Sequence, residues 1–497
     1  MAAVIVEIII SKEFIMGVLS NLEPKEVFEN FEALSMVPRR TFRDEKISDF
    51  CVEFAKAHDL EYVQDHVGNV IIYKPGTEGY ENSEPVILQG HMDMVASKTV
   101  DSDHDFDTDP LELFIEDGYI GARNTTLGGD DGIALAYAMT VLASDDIPHP
   151  PIEAVFTIDE EIGMGGVEAL DVSLLKGRKI FNIDGELDGV LNVGCAGGTV
   201  CDVVIPVSRR ERNGVKVTVS AKGYLGGHSG NDIQRQRGNA HKVMGRILYD
   251  LSKKIDFSLL SVNGGNAANV IAQYCTAEVV MSSDRAEDFV SRLNDCVEVM
   301  RAEYQGSEPD MTFEAEIGEE DTYEVFNWEC TVNTIWYLYG AIDGVQAMER
   351  NVAGAVESSL NTGIIVTDKD SVVVTYQARS SIESKMQEML HRLGLWSEIV
   401  GGRLVIHSSY PAWPYNPESE LRNVMVDTYR DMFGEDPEVS VIHAGLEGGI
   451  LMGKNPDFDI VTFGPEMLNV HTPGERLNIE STVKNWEYLK EVLARLK

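Results

Sequence analysis

The chain has 497 residues, 43% of them hydrophobic and 25% charged, which is too long for one ordinary core and leads us to expect two or three domains. Its 41 Lys and Arg stand against 82 Asp and Glu, a formal net charge of −41, and such a chain is repelled by nucleic acid and by anionic membrane surfaces. The six cysteines (Cys51, Cys195, Cys201, Cys275, Cys296 and Cys330) form no CxxC pair and read as reduced thiols of a cytoplasmic protein.

The opening MAAVIVEIII is apolar but short, is interrupted by Glu7, and has no basic region or cleavage site, so it is not read as a signal peptide. Residues 1–15, ahead of Met16, read as an extension without a functional part. No apolar run anywhere reaches membrane-spanning length. Helix is expected over 24–59 with a break at Val37–Pro38. Strands are expected at Val70–Tyr73, Val86–Leu88, Glu153–Phe156 and Lys179–Ile183, with a buried helix at Gly132–Leu142 between them. Strands alternating with helices predict an α/β layered core with a mixed sheet and flanking helices.

After Gly197–Gly198 the texture changes. Val215–Ala221, Glu278–Ser282 and Ser371–Ala378 alternate as strands, while Asn239–Leu251 and Trp336–Val345 are periodic as helices. This predicts a smaller α+β insert. From Tyr410 the first texture returns, with helices at 418–433, Gly448–Met452 and 480–496 and strands at Glu438–Ile442 and Ile460–Phe463. The expected division is therefore 1–198 and 410–497 as two parts of one domain, with 199–409 inserted between them.

Five stretches combine glycine, carboxylate and histidine. In VILQGHMDMV, His91 and Asp93 follow an apolar strand at i and i+2, and alternate residues of an extended chain share a side. In TTLGGDDG, Asp130 and Asp131 follow two glycines and precede the buried helix. Taken alone, Asp130 reads equally as a helix cap or as a ligand. In FTIDEEIGMGG, an apolar strand ends in Asp159, Glu160 and Glu161, three carboxylates that repel unless cations or water relieve them. FNIDGE ends another apolar strand at Asp184, and LNVHTPGERL places His471 before a Pro-Gly turn. In open α/β sheets, ligands bind beyond the carboxyl ends of strands, so His91, Glu160, Glu161 and Asp184 can converge. Two histidines and three carboxylates make a mixed N/O donor set that suits Zn²⁺, and also Mn²⁺ or Co²⁺.

GHMD, TTLGGDDG, TIDEEIGMGG, NIDGE, GGHSG and VHTPGE, in this order, resemble the motifs of the M20 metallopeptidases. NVGCAGG, NAANVIA, SSLNTG and VIHAGLEGG resemble the aminoacyl-histidine dipeptidase branch in particular, and the resemblance runs from about Met16 to the end of the chain. It implies a di-zinc catalytic domain, made of 1–198 and 410–497, and an inserted lid domain, 199–409, that often carries a homodimer contact. It implies that His91, Asp130 and Asp184 hold one metal and that Asp130, Glu161 and His471 hold the other, with Asp130 bridging. Glu160 would be the general base that deprotonates the water between the metals, and Asp93 would take the other ring N–H of His91. The family also has a cis peptide after the bridging aspartate, here Asp130–Asp131.

In the lid, the resemblance gives His228 of GYLGGHSG the role of donor to the developing oxyanion. Asn269 and Arg379 would meet the substrate backbone and its terminal carboxylate. On the residues alone, a turn histidine, a turn asparagine and a surface arginine are the competing readings. One departure is Asp131, where the branch often has Asn; it adds a negative charge beside the metals. The implied activity is hydrolysis of dipeptides, of Xaa-His type and of broad specificity. An N-acyl amino acid deacylase or a tripeptidase on the same fold is the alternative, and a non-catalytic relative would have lost ligands or base that are all present here. Gly445, Gly448 and Gly449 read as backbone lining of the pocket, and His443 and Glu447 carry no assigned role.

Overall fold

The run Val86–His91 is buried along its whole length, as an inner strand of a parallel sheet is when both faces are covered by packed layers, which leaves no face for polar alternation. It is a central strand of an eight-stranded sheet in the computed structural model, which describes residues 17–497. The expectations for residues 1–15 lie outside the described residues. The chain divides into two compact units, one of 1–194, 415–440 and 446–497, the other of 195–414 and 441–445.

In the first unit the sheet runs in the order Glu61–Gln64, Val70–Lys74, Ile152–Thr157, Val86–His91, Lys179–Asn182, Asp459–Thr462, Val190–Cys195, Glu438–Ile442. Val86–His91 pairs in parallel with Ile152–Thr157 and with Lys179–Asn182, and Lys179–Asn182 in parallel with Asp459–Thr462. Four carboxyl ends thus share one edge. The outer strands are antiparallel, so the sheet is mixed, as expected. The helix Gly129–Ala143 is apolar all round and buried from Gly129 to Leu142, as a helix enclosed on every side must be. It packs between the central strand and the helix Lys25–Ser35. A small antiparallel sheet of Leu113–Glu116, Tyr119–Ala122, Met467–Leu468 and Arg476–Asn478 holds the 469–475 loop at its rim.

The second unit is built on a nine-stranded sheet with four long helices against it: Ala240–Ser252, Ala286–Tyr304, Trp328–Gly340 and Glu383–Ile399. One apolar core joins them, from Cys201 and Val217 through Met244, Phe289 and Tyr337 to Leu393. Residues 441–445, read from sequence as part of the returning domain, group with this unit. The helix expected at Trp336–Val345 is displaced. It begins eight residues earlier, at Trp328, where Asn327 caps it by accepting from the Cys330 N–H at 2.8 Å. Gly344, in the left-handed region at φ 76°, begins a strand that runs to Met348.

Candidate metal centre

His91 is the last residue of its strand, Glu160 and Glu161 follow the end of Ile152–Thr157, and Asp184 follows the end of Lys179–Asn182. Gly90 allows the approach. A Cβ there would stand 2.5 Å from Ala134 Cβ and 2.6 Å from Asp131 Oδ2, so a side chain would push the strand away from the following helix. Asp130 enters from that helix's N-terminal turn, where the Asp130–Asp131 peptide bond is cis. His471 enters from the loop of the small sheet with a left-handed φ of 66°.

The Asp130 carboxylate lies between the two histidines. Its Oδ1 is 2.9 Å from His91 Nε2 and its Oδ2 is 3.1 Å from His471 Nε2. His471 Nε2 is also 2.9 Å from Glu161 Oε2, and His91 Nε2 is 3.9 Å from Asp184 Oδ1. Ligand atoms of His91, Asp130 and Glu161 lie within 4.8 Å of one another, as do those of His91, Asp131 and Asp184. The structure thus brings together all five residues singled out as ligands.

Asp93 is fully buried and does more than serve one ring nitrogen. His91 Nδ1 is 3.1 Å from the Asp93 backbone carbonyl and 3.4 Å from its carboxylate. The carboxylate also accepts from the backbone N–H of Glu160 at 3.0 Å, from that of Glu161 at 3.3 Å and from the Thr41 hydroxyl at 3.0 Å. One side chain therefore ties the histidine loop to the Glu160–Glu161 loop. Asp131 accepts from the His91 backbone N–H at 3.2 Å.

The electrostatics are those of a site built for cations. Burial pushes the Asp184 carboxyl well above its ordinary range, and Asp130 and Asp131 push it further. Burial also raises Glu160, to about 8, with the Glu447, Asp130 and Glu161 charges adding and His91 opposing. His471 is driven up to about 11 by its hydrogen bonds to Asp130 and Glu161. Burial works against the charged form of His91, but hydrogen bonds to Asp130 and Asp93 outweigh it and raise that group well above the usual imidazole range. Buried carboxylate oxygens Glu161 Oε1 and Asp131 Oδ1 have no hydrogen-bond partner, although buried polar atoms nearly always find one. Unpartnered carboxylate oxygens beside imidazole nitrogens fit a pair of divalent ions.

Sequence reasoning missed a buried layer beneath this cluster. Gln89, Thr157, Asn182 and Thr462 stand on four adjacent strands. Gln89 donates to Glu447 Oε2 at 2.5 Å, Thr157 donates to the same oxygen at 2.9 Å, Asn182 donates to Gln89 Oε1 at 2.6 Å, and Thr462 donates to Asn182. Gln89, two residues before His91, was visible by alternation; Glu447 was not.

The remaining three residues lie in the second unit. Arg379 is 5% exposed, donates to the Tyr410 hydroxyl at 2.9 Å and to Ser229 at 3.4 Å, and has no carboxylate of the described residues within ion-pair distance. His228 is half-buried, its imidazole held below the usual range by burial and by Arg379, and its backbone N–H donates to the Asp232 carboxylate at 2.9 Å. The Asn269 side chain is exposed, and its backbone carbonyl accepts from Ser229 at 2.8 Å. His443 belongs beside these residues, its Nε2 2.7 Å from Ser359 Oγ, with burial and then Arg379 depressing it to about 3.

Residues 87–495 match the model of peptidase family M20/M25/M40. The chain belongs to this family. It is 31% identical over 483 residues to the cytosol non-specific dipeptidase of Escherichia coli, covering 97% of this chain and 99% of that one. The crystal structure of aminoacylhistidine dipeptidase from Vibrio alginolyticus is similar with a TM-score of 0.92 at 33% identity, covering 96% of this chain and 98% of that chain. A tripeptidase from Staphylococcus aureus shares the fold at a TM-score of 0.55 and 16% identity, over 97% and 99% of the two chains. The resemblance read from the motifs, and the mixed α/β fold it implied, are borne out. The protein is a peptide hydrolase.

Proposed function

We propose that this protein is a two-metal dipeptidase acting on unblocked dipeptides, Xaa-His among them, with His91, Asp130 and Asp184 holding one ion and Asp130, Glu161 and His471 the other. The observation that carries this reading is the Asp130 carboxylate, which offers one oxygen beside each histidine. Zinc is the proposed metal on the N/O donor set, with manganese and cobalt as alternatives. Bound there, the ions supply Lewis acidity to the scissile carbonyl and lower the pKa of water toward neutrality.

The side chains divide the remaining work. Glu160 accepts a proton from the attacking water on its carboxylate and returns it to the leaving amine nitrogen as the C–N bond breaks. Asp93 holds Glu160 and Glu161 by their backbone N–H groups, which keeps base and ligand in fixed relation. Among the groups of the second unit, His228 is the donor to the carbonyl oxygen as it becomes negative. Asn269 reads the substrate backbone and Arg379 its carboxylate. Support for the last role is a buried guanidinium with no ion-pair partner among the described residues, since a planar fork suits a carboxylate. The full-length likeness to two dipeptidases supports the substrate class. Work in the cytoplasm and a homodimer belong to the same proposal; Trp328, Trp336 and Tyr339 leave an exposed apolar stripe on one helix, and light scattering tests the dimer.

The deciding experiment measures metal content and rates on Ala-His, a dipeptide without histidine, a tripeptide and an N-acetyl amino acid. Dipeptides cleaved fastest are expected. Preference for the tripeptide or the acetylated substrate moves the protein to another branch, and a metal-loaded enzyme inert toward all four defeats the proposal. Arg379→Met is expected to raise KM about 10- to 100-fold, the range for a lost charge-assisted hydrogen bond, with a smaller change in kcat. Arg379→Lys restores only part of it, because an ammonium is a point charge. A dipeptide amide, lacking the carboxylate, should be insensitive to either change.

A further inference from the structure

The loop before the first helix turn of the metal centre is gripped from two sides by residues outside the ligand set. Arg39 follows the Val37–Pro38 break and is 2% exposed. Its Nη1 donates to the backbone carbonyls of Met92 at 3.0 Å and Asp93 at 3.3 Å, and its Nη2 donates to the carbonyl of Gly128. One guanidinium thus bridges the His91–Asp93 loop and the loop that delivers Asp130. From the other side, Glu475 accepts from the backbone N–H of Leu127 at 2.8 Å, Gly128 at 3.2 Å and Gly129 at 2.8 Å. The fit is tight. Gly128 is in the left-handed region at φ 67°, and a Cβ on it would lie 2.5 Å from Arg39 Nη2, while one on Gly132 would lie 2.6 Å from the same atom.

The main chain completes the connection. The Met94 N–H donates to the Arg39 carbonyl at 3.1 Å, and the Thr41 N–H donates to the Met94 carbonyl at 3.3 Å. Arg39 has no carboxylate of the described residues within ion-pair distance, although Asp93, Asp130, Asp131 and Glu475 surround it. Its hydrogen bonds are spent on carbonyls of the two ligand loops.

We propose that Arg39, opposed by Glu475, is a positioning residue that sets the spacing of His91 and Asp130 and thereby the affinity of the centre for its ions. The inference rests on the two-metal reading. Geometry and charge make opposite claims. A cation beside a metal centre disfavours metal binding, so deleting its charge alone would tighten binding. Losing the fork that spans two loops would loosen it. Lysine keeps the charge but cannot reach three carbonyls in two loops from one nitrogen in the same plane.

The test titrates metal-free wild type, Arg39→Lys, Arg39→Met and Glu475→Gln with Zn²⁺ and with Mn²⁺ by calorimetry, with thermal melting of each apo protein as the check on folding. All three variants are expected to bind at least about tenfold more weakly, the lower end of what a lost supporting partner does to metal affinity. At saturating metal, kcat should fall more than KM rises. Should Arg39→Met fail to melt cooperatively, Arg39→Lys decides. A folded Arg39→Lys with wild-type affinity overturns the inference, as does an Arg39→Met that binds more tightly. A wild type that takes up no metal overturns the two-metal reading along with it, so the two failures are told apart.

Discussion

Glu160→Gln is expected to lower kcat by about 10²- to 10⁴-fold, the usual contribution of a positioned general base, while KM stays within a few-fold and the metal content is unchanged. The substitution keeps size and shape and removes the ability to take a proton. The backbone of residue 160 keeps its 3.0 Å bond to Asp93, so the loop has no reason to move. Glu160 is also the carboxylate of its pair that makes no ion-pair contact with an imidazole among the described residues, whereas His471 stands 2.9 Å from Glu161. Glu161→Gln is therefore expected to behave differently, with loss of metal by elemental analysis along with activity. Burial and the neighbouring carboxylates hold Glu160 high, at about 8, in the metal-free protein. In the two-metal reading, two divalent cations would act in the opposite direction and favour the ionised carboxylate near neutral pH. A Glu160→Gln enzyme that retains more than a tenth of wild-type kcat, or that loses its metals, would remove Glu160 from the role of base.

How far the sequence alone reached depends on the range of the interaction involved. The strands Val86–His91 and Ile152–Thr157 were legible through their apolar runs Val86–Leu88 and Ala154–Phe156, which a strand buried on both faces writes into the sequence. Among the candidate ligands, His91, Glu161 and Asp184 stand at or just past such runs, whereas Asp130 precedes a buried helix and His471 lies in a loop, and these two drew attention through their glycine-flanked motifs. The roles of Arg39 and Glu475 carried no comparable signal: their partners are backbone atoms 53, 54 and 89 residues away in one case, and 346 to 348 in the other. The same holds for Glu447, which meets Gln89 across 358 positions. Burial raises that carboxyl to about 7, and its Oε1 has no partner. In the second unit, the long strand Thr312–Phe326 went unread although Phe313, Ala315 and Ile317 alternate. It is the terminal strand of its sheet and mostly exposed, paired only with Arg209–Lys222, and its acidic face makes the run look like a solvated loop. Polar and edge elements are fixed by distant partners, whereas core strands and helices are fixed by their own composition.

Asp130→Asn is expected to release at least one of the two ions and to abolish most of the activity, with metal affinity falling by more than the roughly 100-fold that can follow loss of a ligand's supporting partner. The reasoning is geometric. The two oxygens of Asp130 stand 2.9 and 3.1 Å from two different histidines, so each has its own task. Asparagine retains one oxygen and replaces the other with an NH₂ group, which has no lone pair to give and whose hydrogens would face an ion. It also lowers the negative charge of a cluster that holds Asp184, Glu161 and Asp131 close by. Melting provides a readout that does not depend on turnover. Ions that bind only the folded protein stabilise it by RT ln(1 + [L]/Kd), about 2.7 kcal/mol per site at a hundred times Kd. Wild type should therefore gain thermal stability on adding Zn²⁺ or Mn²⁺ and lose it on chelation. In Asp130→Asn the gain should shrink to that of a single site or vanish. A variant that binds two ions with wild-type affinity would mean that Asp130 is not shared, and the one-oxygen-per-histidine arrangement would then be a hydrogen-bonded pair of imidazoles and nothing more.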